Sequence, residues 1–367
     1  MQYYLRHYFD PDFDHLRAKP AETEDSDLYS LGYVQNAIAG QLLAEVIPLQ
    51  EATDPDPRFI LDSPTLPAGA NTRIDPAYPH YLLADANGYV FYYQGRITVK
   101  GLLNVRQDVS FHTGNIFFVG DMAVHGSVRS GFSVQANNVR IMERVEGGVA
   151  RSRRARGGAS QHCVLDSGDR LLAAFLEKVE ARSRGNMVID KYCLYSTVYA
   201  GANLVVREQL YGSTVNAHGS VYVGTQLGNR AGIPTRIYLG YDPLRIRMLE
   251  SIEETIATLS QSVSHLRAVA GHLPPETNET TRKLARQQEQ LDIVLQHRTE
   301  LLESFDRDES QMGNCCLKVP GKVYPGVEIS IGRSFTQVER MYENVVFHLC
   351  YQEVIVDPLP HAPGQRA

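Results

Sequence analysis

The sequence predicts a mainly β protein: a β-solenoid that carries an inserted antiparallel α-helical coiled-coil hairpin and follows a small N-terminal β-rich domain. Three observations predict it. Valines recur at intervals of roughly 15 to 19 residues through the middle of the 367-residue chain. Pairs of Gly, Asn and Asp punctuate the same stretch, and a run of apolar residues at heptad spacing interrupts it.

Residues 1–100 are rich in Pro, Asp and Tyr and are read as the β-rich domain. Asn87-Gly88, between the apolar runs Tyr81-Leu82-Leu83 and Tyr89-Val90-Phe91-Tyr92, predicts a β-hairpin turn. The acidic, Pro-containing stretch from Pro11 to Asp27 is expected to be a mobile arm.

Residues 101–243 are read as the solenoid. The valines Val109, Val128, Val145, Val164, Val179, Val198 and Val215 set the period. Val134-x-Ala136, Val179-x-Ala181, Val198-x-Ala200 and Val215-x-Ala217 are each followed by a Gly or Asn and a short strand, such as Val139-Arg140-Ile141 or Val221-Tyr222-Val223. A coil of this kind stacks each turn on the one below, so its strands alternate inward apolar and outward polar residues. Its corners call for φ > 0 or a side chain that bonds its own backbone, a role given to Gly114-Asn115, Gly120-Asp121, Asn137-Asn138, Gly168-Asp169, Gly185-Asn186 and Gly219-Ser220. Seven turns would make a rod on the order of 35 Å long.

From residue 244 to 309 Gly nearly vanishes. Leu249, Ile252, Ile256, Leu259, Val263, Leu266, Ala270 and Leu273 alternate spacings of three and four, which predicts a helix with a heptad seam. Gly271 and Pro274-Pro275 break it, and a second helix carries Leu284, Leu291, Val294, Leu295, Leu301, Leu302 and Phe305. Two amphipathic helices joined by a short turn pack antiparallel. Residues 310–357 return to Gly-punctuated alternation, so the hairpin is an excursion from the coil. Val345-Val346-Phe347 and Glu353-Val354-Ile355-Val356 are two closing strands that cap its open end, ahead of a disordered tail over residues 358–367.

The composition excludes several function classes. A net charge of -6 gives no global attraction to nucleic acid or an anionic membrane. No stretch approaches the roughly 20 apolar residues of a membrane span, and the opening Met1-Gln2-Tyr3-Tyr4-Leu5-Arg6 has no secretion-signal pattern, so a cytoplasmic location is expected. Cys163, Cys193, Cys315, Cys316 and Cys350 are odd in number and scattered, which suits neither a disulfide framework nor zinc knuckles; only the vicinal Cys315-Cys316 pair is a redox candidate.

Residues 113–136, reading TGNIFFVGDMAVHGSVRSGFSVQA, resemble the core of the flagellar assembly protein A family. Gly212–Ala217, Pro234–Gly240 and Val323–Val327 are similar to its later motifs, and Gly40–Pro48 with Gly69–Thr72 to its pre-solenoid domain. The resemblance implies a right-handed parallel β-solenoid (β-helix) with a helical insertion, and a role in building or regulating flagella without known catalysis. Two departures stand out: a short N-terminal region, and a stretch from Gly147 to Ser160 with an arginine cluster where a Gly-rich rung is expected.

The function expected is that of a non-enzymatic cytoplasmic scaffold or regulator acting through protein partners, with homo-oligomerisation open and no cofactor or metal. The runner-up is a β-helical polysaccharide lyase or hydrolase using Asp121, Asp166, Asp169 or Asp190. Asp121 and Asp169 each follow a corner Gly, where Asp caps turns, and no two of the four fall at equivalent positions on adjacent turns with a basic partner. A third reading is a cell-division or cytoskeletal regulator on the same coil. His112, His125, His162 and His218 lack the strict six-residue repeat of a coiled acyltransferase and any metal-binding spacing. Arg151, Arg153, Arg154 and Arg156 form the most basic patch: a solvated loop on the plain reading, a docking patch for an acidic protein surface on the functional one. The dearth of interleaved aromatics disfavours nucleic acid there.

Overall fold

The computed structural model describes residues 2–12, 31–147, 163–270, 278–306 and 314–360. Its chain divides into two compact units, Met1–Thr197 with Val205–Ser213, and Val198–Leu204 with Thr214–Ala367.

The first unit opens with an antiparallel five-stranded sheet in the order Ile60–Leu61, Tyr3–His7, Leu42–Pro48, Tyr81–Ala84, Thr72–Ile74. Asn36–Ala37, Gly88–Tyr93 and Arg96–Lys100 form a second sheet. Leu5, Leu43, Val46, Phe59, Leu82, Ile97 and Val99 share one core. The turn expected at Asn87-Gly88 is not a hairpin turn, because the strands on either side of it belong to different sheets. The hairpin instead joins Gly88–Tyr93 to Arg96–Lys100 through Gln94-Gly95, both at positive φ. Two successive left-handed residues match the strand twist, as in a type I′ turn. Gly88 is needed for a different reason: a Cβ there would drive into the carbonyl of Lys100.

The coil follows, with parallel strands in three columns. In one, Leu103 pairs with Met122, Met122 with Val139, Val139 with Leu171 and Leu171 with Met187. In the second, Val109, Val128 and Val145 bridge in succession, followed by Leu176, Cys193 and Leu210. In the third, Ile116 pairs with Val134, Val134 with Leu165 and Leu165 with Ala181. All these residues are buried, with alternate neighbours outward, which is the period of two that the sequence carries.

The valine series mixes columns. Val164 is half-exposed and pairs with Ser133 and Glu180 in the third column, where Val179 also lies, opposite Cys163. The cause is the segment after Gly147, which roughly doubles the interval on that turn and lets a valine of another column fall near the expected spacing.

Corner chemistry also differs from expectation. Gly114 has φ +65°, but Gly120 and Gly185 do not need the left-handed region. At Gly185 a Cβ would lie 2.5 Å from the carbonyl oxygen of Asp169 on the turn below, and at Gly120 it would meet the carbonyl of Gly101. These glycines make room for the stacked neighbour.

In the second unit, Val215 pairs with Ile237 and Ile237 with Ile329, while Val221 pairs with Leu317. Strands far apart in sequence are therefore adjacent parallel rungs, and two helices fill the interval: α1, Pro243–Ala270, and α2, Asn278–Asp306. Asp242 caps α1 by accepting from the Leu244 N–H at 2.9 Å, with Pro243 at the first helical position, where its missing N–H is not needed. Contacts from Arg245 to Ser304, Glu253 to Arg298 and Ser262 to Gln287 run in opposite directions along the helices, so the pair is antiparallel. Leu249, Ile252, Ile256, Leu259, Val263 and Leu266 are buried or half-buried, but Leu295 and Leu302 are exposed.

Past α2 the strand Tyr342–Cys350 pairs antiparallel with Cys316–Val323, and Glu353–Pro358 pairs with it in turn. Ser334–Gln337 turns back antiparallel on Val327–Ile331. The reversal ends the parallel stack. The Leu359 N–H still donates to the Asn344 carbonyl, and residues 361–367 of the expected tail lie outside the described residues. So do residues 13–27 of the expected arm.

Candidate functional site

The first column of the coil turns a concave surface outward. Four successive strands supply it: Leu102–Val105, Asp121–Val124, Val139–Glu146 and Leu171–Glu177. Their outward residues and the adjoining corners enclose a groove of about 540 Å³ lined by Leu102, Asn104, Asp121, Asn138, Arg140, Met142, Asp169, Arg170 and Leu172. The strand period puts them there: Leu103, Met122, Val139 and Leu171 point into the core, so their neighbours point out.

Within the groove Asn104, Asp121 and Asn138 are committed to holding the turns together. The Asp121 carboxylate accepts from Asn137 Nδ2 at 3.1 Å and Asn138 Nδ2 at 2.8 Å. Asn138 Oδ1 accepts from the Arg170 N–H at 3.1 Å, and Asn104 Oδ1 lies 3.3 Å from His125 Nε2. Asp121 thus clamps one turn to the next, a structural role different from the capping of its own turn that the sequence suggested. The guanidinium groups of Arg140 and Arg170 are exposed and have no hydrogen-bond or ion-pair partner among the described residues. Leu102 and Met142 are exposed beside them, at 51% and 41%.

Asp169 also lines this groove, whereas Asp166 and Asp190 lie elsewhere. Asp166 is in register with Arg182 on the next turn of the third column, although Arg182 reaches Glu180 at 2.6 Å and Asp166 only at 3.9 Å. Asp190, on the strand Met187–Leu194, pairs with Arg207 at 3.1 Å. Each has a basic partner on an adjacent turn, but the two are in different columns. His125 is exposed, the His218 carbonyl accepts from the Cys315 thiol at 3.2 Å, and His162 lies outside the described residues. No group of three metal-ligating side chains occurs among the described residues.

All five cysteines are free thiols, and burial pushes Cys163 and Cys193 up to about 12, so neither supplies a thiolate at neutral pH. Cys315 is raised too, by burial and then by its neighbour Cys316. The patch of Arg151, Arg153, Arg154 and Arg156 lies outside the described residues.

A second concavity, of about 450 Å³, lies at the base of the helical pair between Tyr241, Ile246, Leu249, Leu302 and Phe305. It is mostly apolar, and Phe305 meets Tyr241 edge-on at 5.5 Å.

Sequence reading did not single out the groove's arginines. Arg140 was legible as the outward residue of Val139-Arg140-Ile141. Its nearness to Arg170 was hidden by the long segment between the two turns.

A coil of stacked parallel turns, interrupted between two paired rungs by a helical pair and closed by antiparallel strands, defines a β-solenoid protein. Residues 102–354 match the profile of the flagellar assembly protein A β-solenoid domain, and the chain belongs to that family. No curated protein and no solved structure matches it. No helix among the described residues is long and apolar enough to cross a membrane.

Proposed function

We propose that this protein is a non-enzymatic scaffold or regulator that works through protein contacts in bacterial flagellar assembly. The family match over more than half of the chain carries the reading. The site chemistry supports it: the Asp121 carboxylate is held by two side-chain amides as a clamp between turns, which suits a structural role better than proton transfer. A coil of this kind offers broad, rigid faces, and a projecting helical pair offers a second surface, both suited to assembly. On this reading the coil is right-handed, the helical pair is a coiled coil, and the protein acts in the cytoplasm, singly or as a homo-oligomer.

Deletion of the gene tests the role. Loss of swimming, restored by the intact gene and not by one lacking residues 102–354, is the expected result. A deletion strain that swims normally, with division proteins recovered by a tagged copy, would move the protein to cell division instead.

A further inference from the structure

We infer that the groove of Arg140 and Arg170 binds an extended acidic protein segment, with its carboxylates on the two guanidinium groups and an apolar side chain against Leu102 or Met142. The inference deepens the scaffold reading and rests on it for the partner being a protein.

The charges in the groove divide into those already used and those left over. Asp121 is engaged by Asn137 and Asn138, and Asn138 and Asn104 are engaged in turn. Arg140, Arg170 and the Asp169 carboxylate are not engaged by any described residue, so two cations and one anion are left over. An exposed arginine is ordinary. Two on adjoining turns of one concave surface, between exposed apolar side chains, make a patterned surface.

Register sets the spacing. Arg170 lies beside Asn138 on the next turn, and Arg140 is two residues beyond Asn138. One rung and two residues separate their Cα atoms by about 8 Å. Carboxylates at alternate positions of an extended chain are separated by about 7 Å, so one segment reaches both. The four turns of the groove span about 14 Å, the length of about four extended residues. Each contact would be a charge-assisted fork, strong relative to neutral hydrogen bonds.

The same surface selects against a continuous polyanion. Asp121 and Asp169 line the groove beside the arginines, and the whole chain is net negative. Closely spaced phosphates or uronates would meet those carboxylates, whereas a peptide can set neutral residues there.

Fluorescence anisotropy of the full chain with a labelled Glu-Ser-Glu-Ser-Leu-Ser peptide tests it. Saturable binding is expected, weakening several-fold between 50 and 300 mM salt and at least tenfold in the double variant Arg140→Ser/Arg170→Ser. Both side chains are exposed, and an unchanged circular dichroism melt establishes that the variant is folded. Binding that is absent, unaffected by the double variant, or matched by a Lys-Ser-Lys-Ser-Leu-Ser peptide overturns the inference. So does tighter binding of single-stranded DNA or polygalacturonate. A deletion strain that does not swim, rescued fully by the double variant, removes the groove's role and leaves the flagellar one. A deletion strain that swims removes the flagellar role, and the peptide titration still decides the groove.

Discussion

His7 has a buried Nε2 with no hydrogen-bond partner among the described residues and sits among Phe9, Phe59 and Tyr92, with ring centroids 5.3, 4.4 and 5.6 Å away. Desolvation lowers it to about 4, against weaker opposing pulls from Asp12 and Asp56. The unfolded chain therefore binds a proton near pH 6.5 that the folded chain refuses until about pH 4. Stability is full above the unfolded value and falls as pH drops through that window, by roughly 1–2 kcal/mol once solvent screening is allowed for. Urea titrations at pH 7.5 and 4.5 should register the loss, and His7→Phe, which suits the aromatic cluster, should shrink it. Glycines give a second residue-scale prediction. Gly232 has φ +66° and open space around its Cβ position, so Gly232→Ala should cost about 1 kcal/mol and Gly232→Asn less. Gly185 is confined by Asp169, so both Ala and Asn should cost about 1–3 kcal/mol there. Thermal melts of the four variants would separate the two causes.

Among the elements, the first rung of the coil has a strand edge that needs a partner. Asn36 provides one: its Nδ2 donates to the Phe117 carbonyl at 2.9 Å, and its Oδ1 accepts from the Val119 N–H at 3.1 Å. One side chain thus imitates a strand. Asn36→Ala leaves two backbone groups to water and should lower stability by about 1–2 kcal/mol, with faster amide exchange at Val119 as the specific sign. The helical pair rests on a narrow seam, with Val263, Leu291 and Leu301 its most buried side chains. Leu291→Ala should cost about 2 kcal/mol or more, read as lost helical dichroism before the β signal changes. Here the more buried side of α1 from Leu249 to Leu266 was legible in the spacing, whereas the exposure of Leu295 and Leu302 was not, because an apolar count does not say which side of a helix is covered; Leu273 of the expected seam lies outside the described residues.

For the molecule as a whole, the family role predicts a swimming defect on deletion, and the groove predicts a partner lost with Arg140 and Arg170. The amino-acid sequence by itself determined the solenoid, the helical interruption and the closing strands, because alternation, heptads and Gly-rich corners are local signals that each turn repeats. Tertiary structure alone decided which turns stack. A segment of arbitrary length between Gly147 and Cys163, or the helices between Leu239 and Cys316, leaves adjacent rungs in contact, since pairing depends on the backbone meeting an open edge and not on distance along the chain. The same stacking put Arg140 beside Arg170, turned Gly120 and Gly185 into spacers, and moved Val164 out of its expected column.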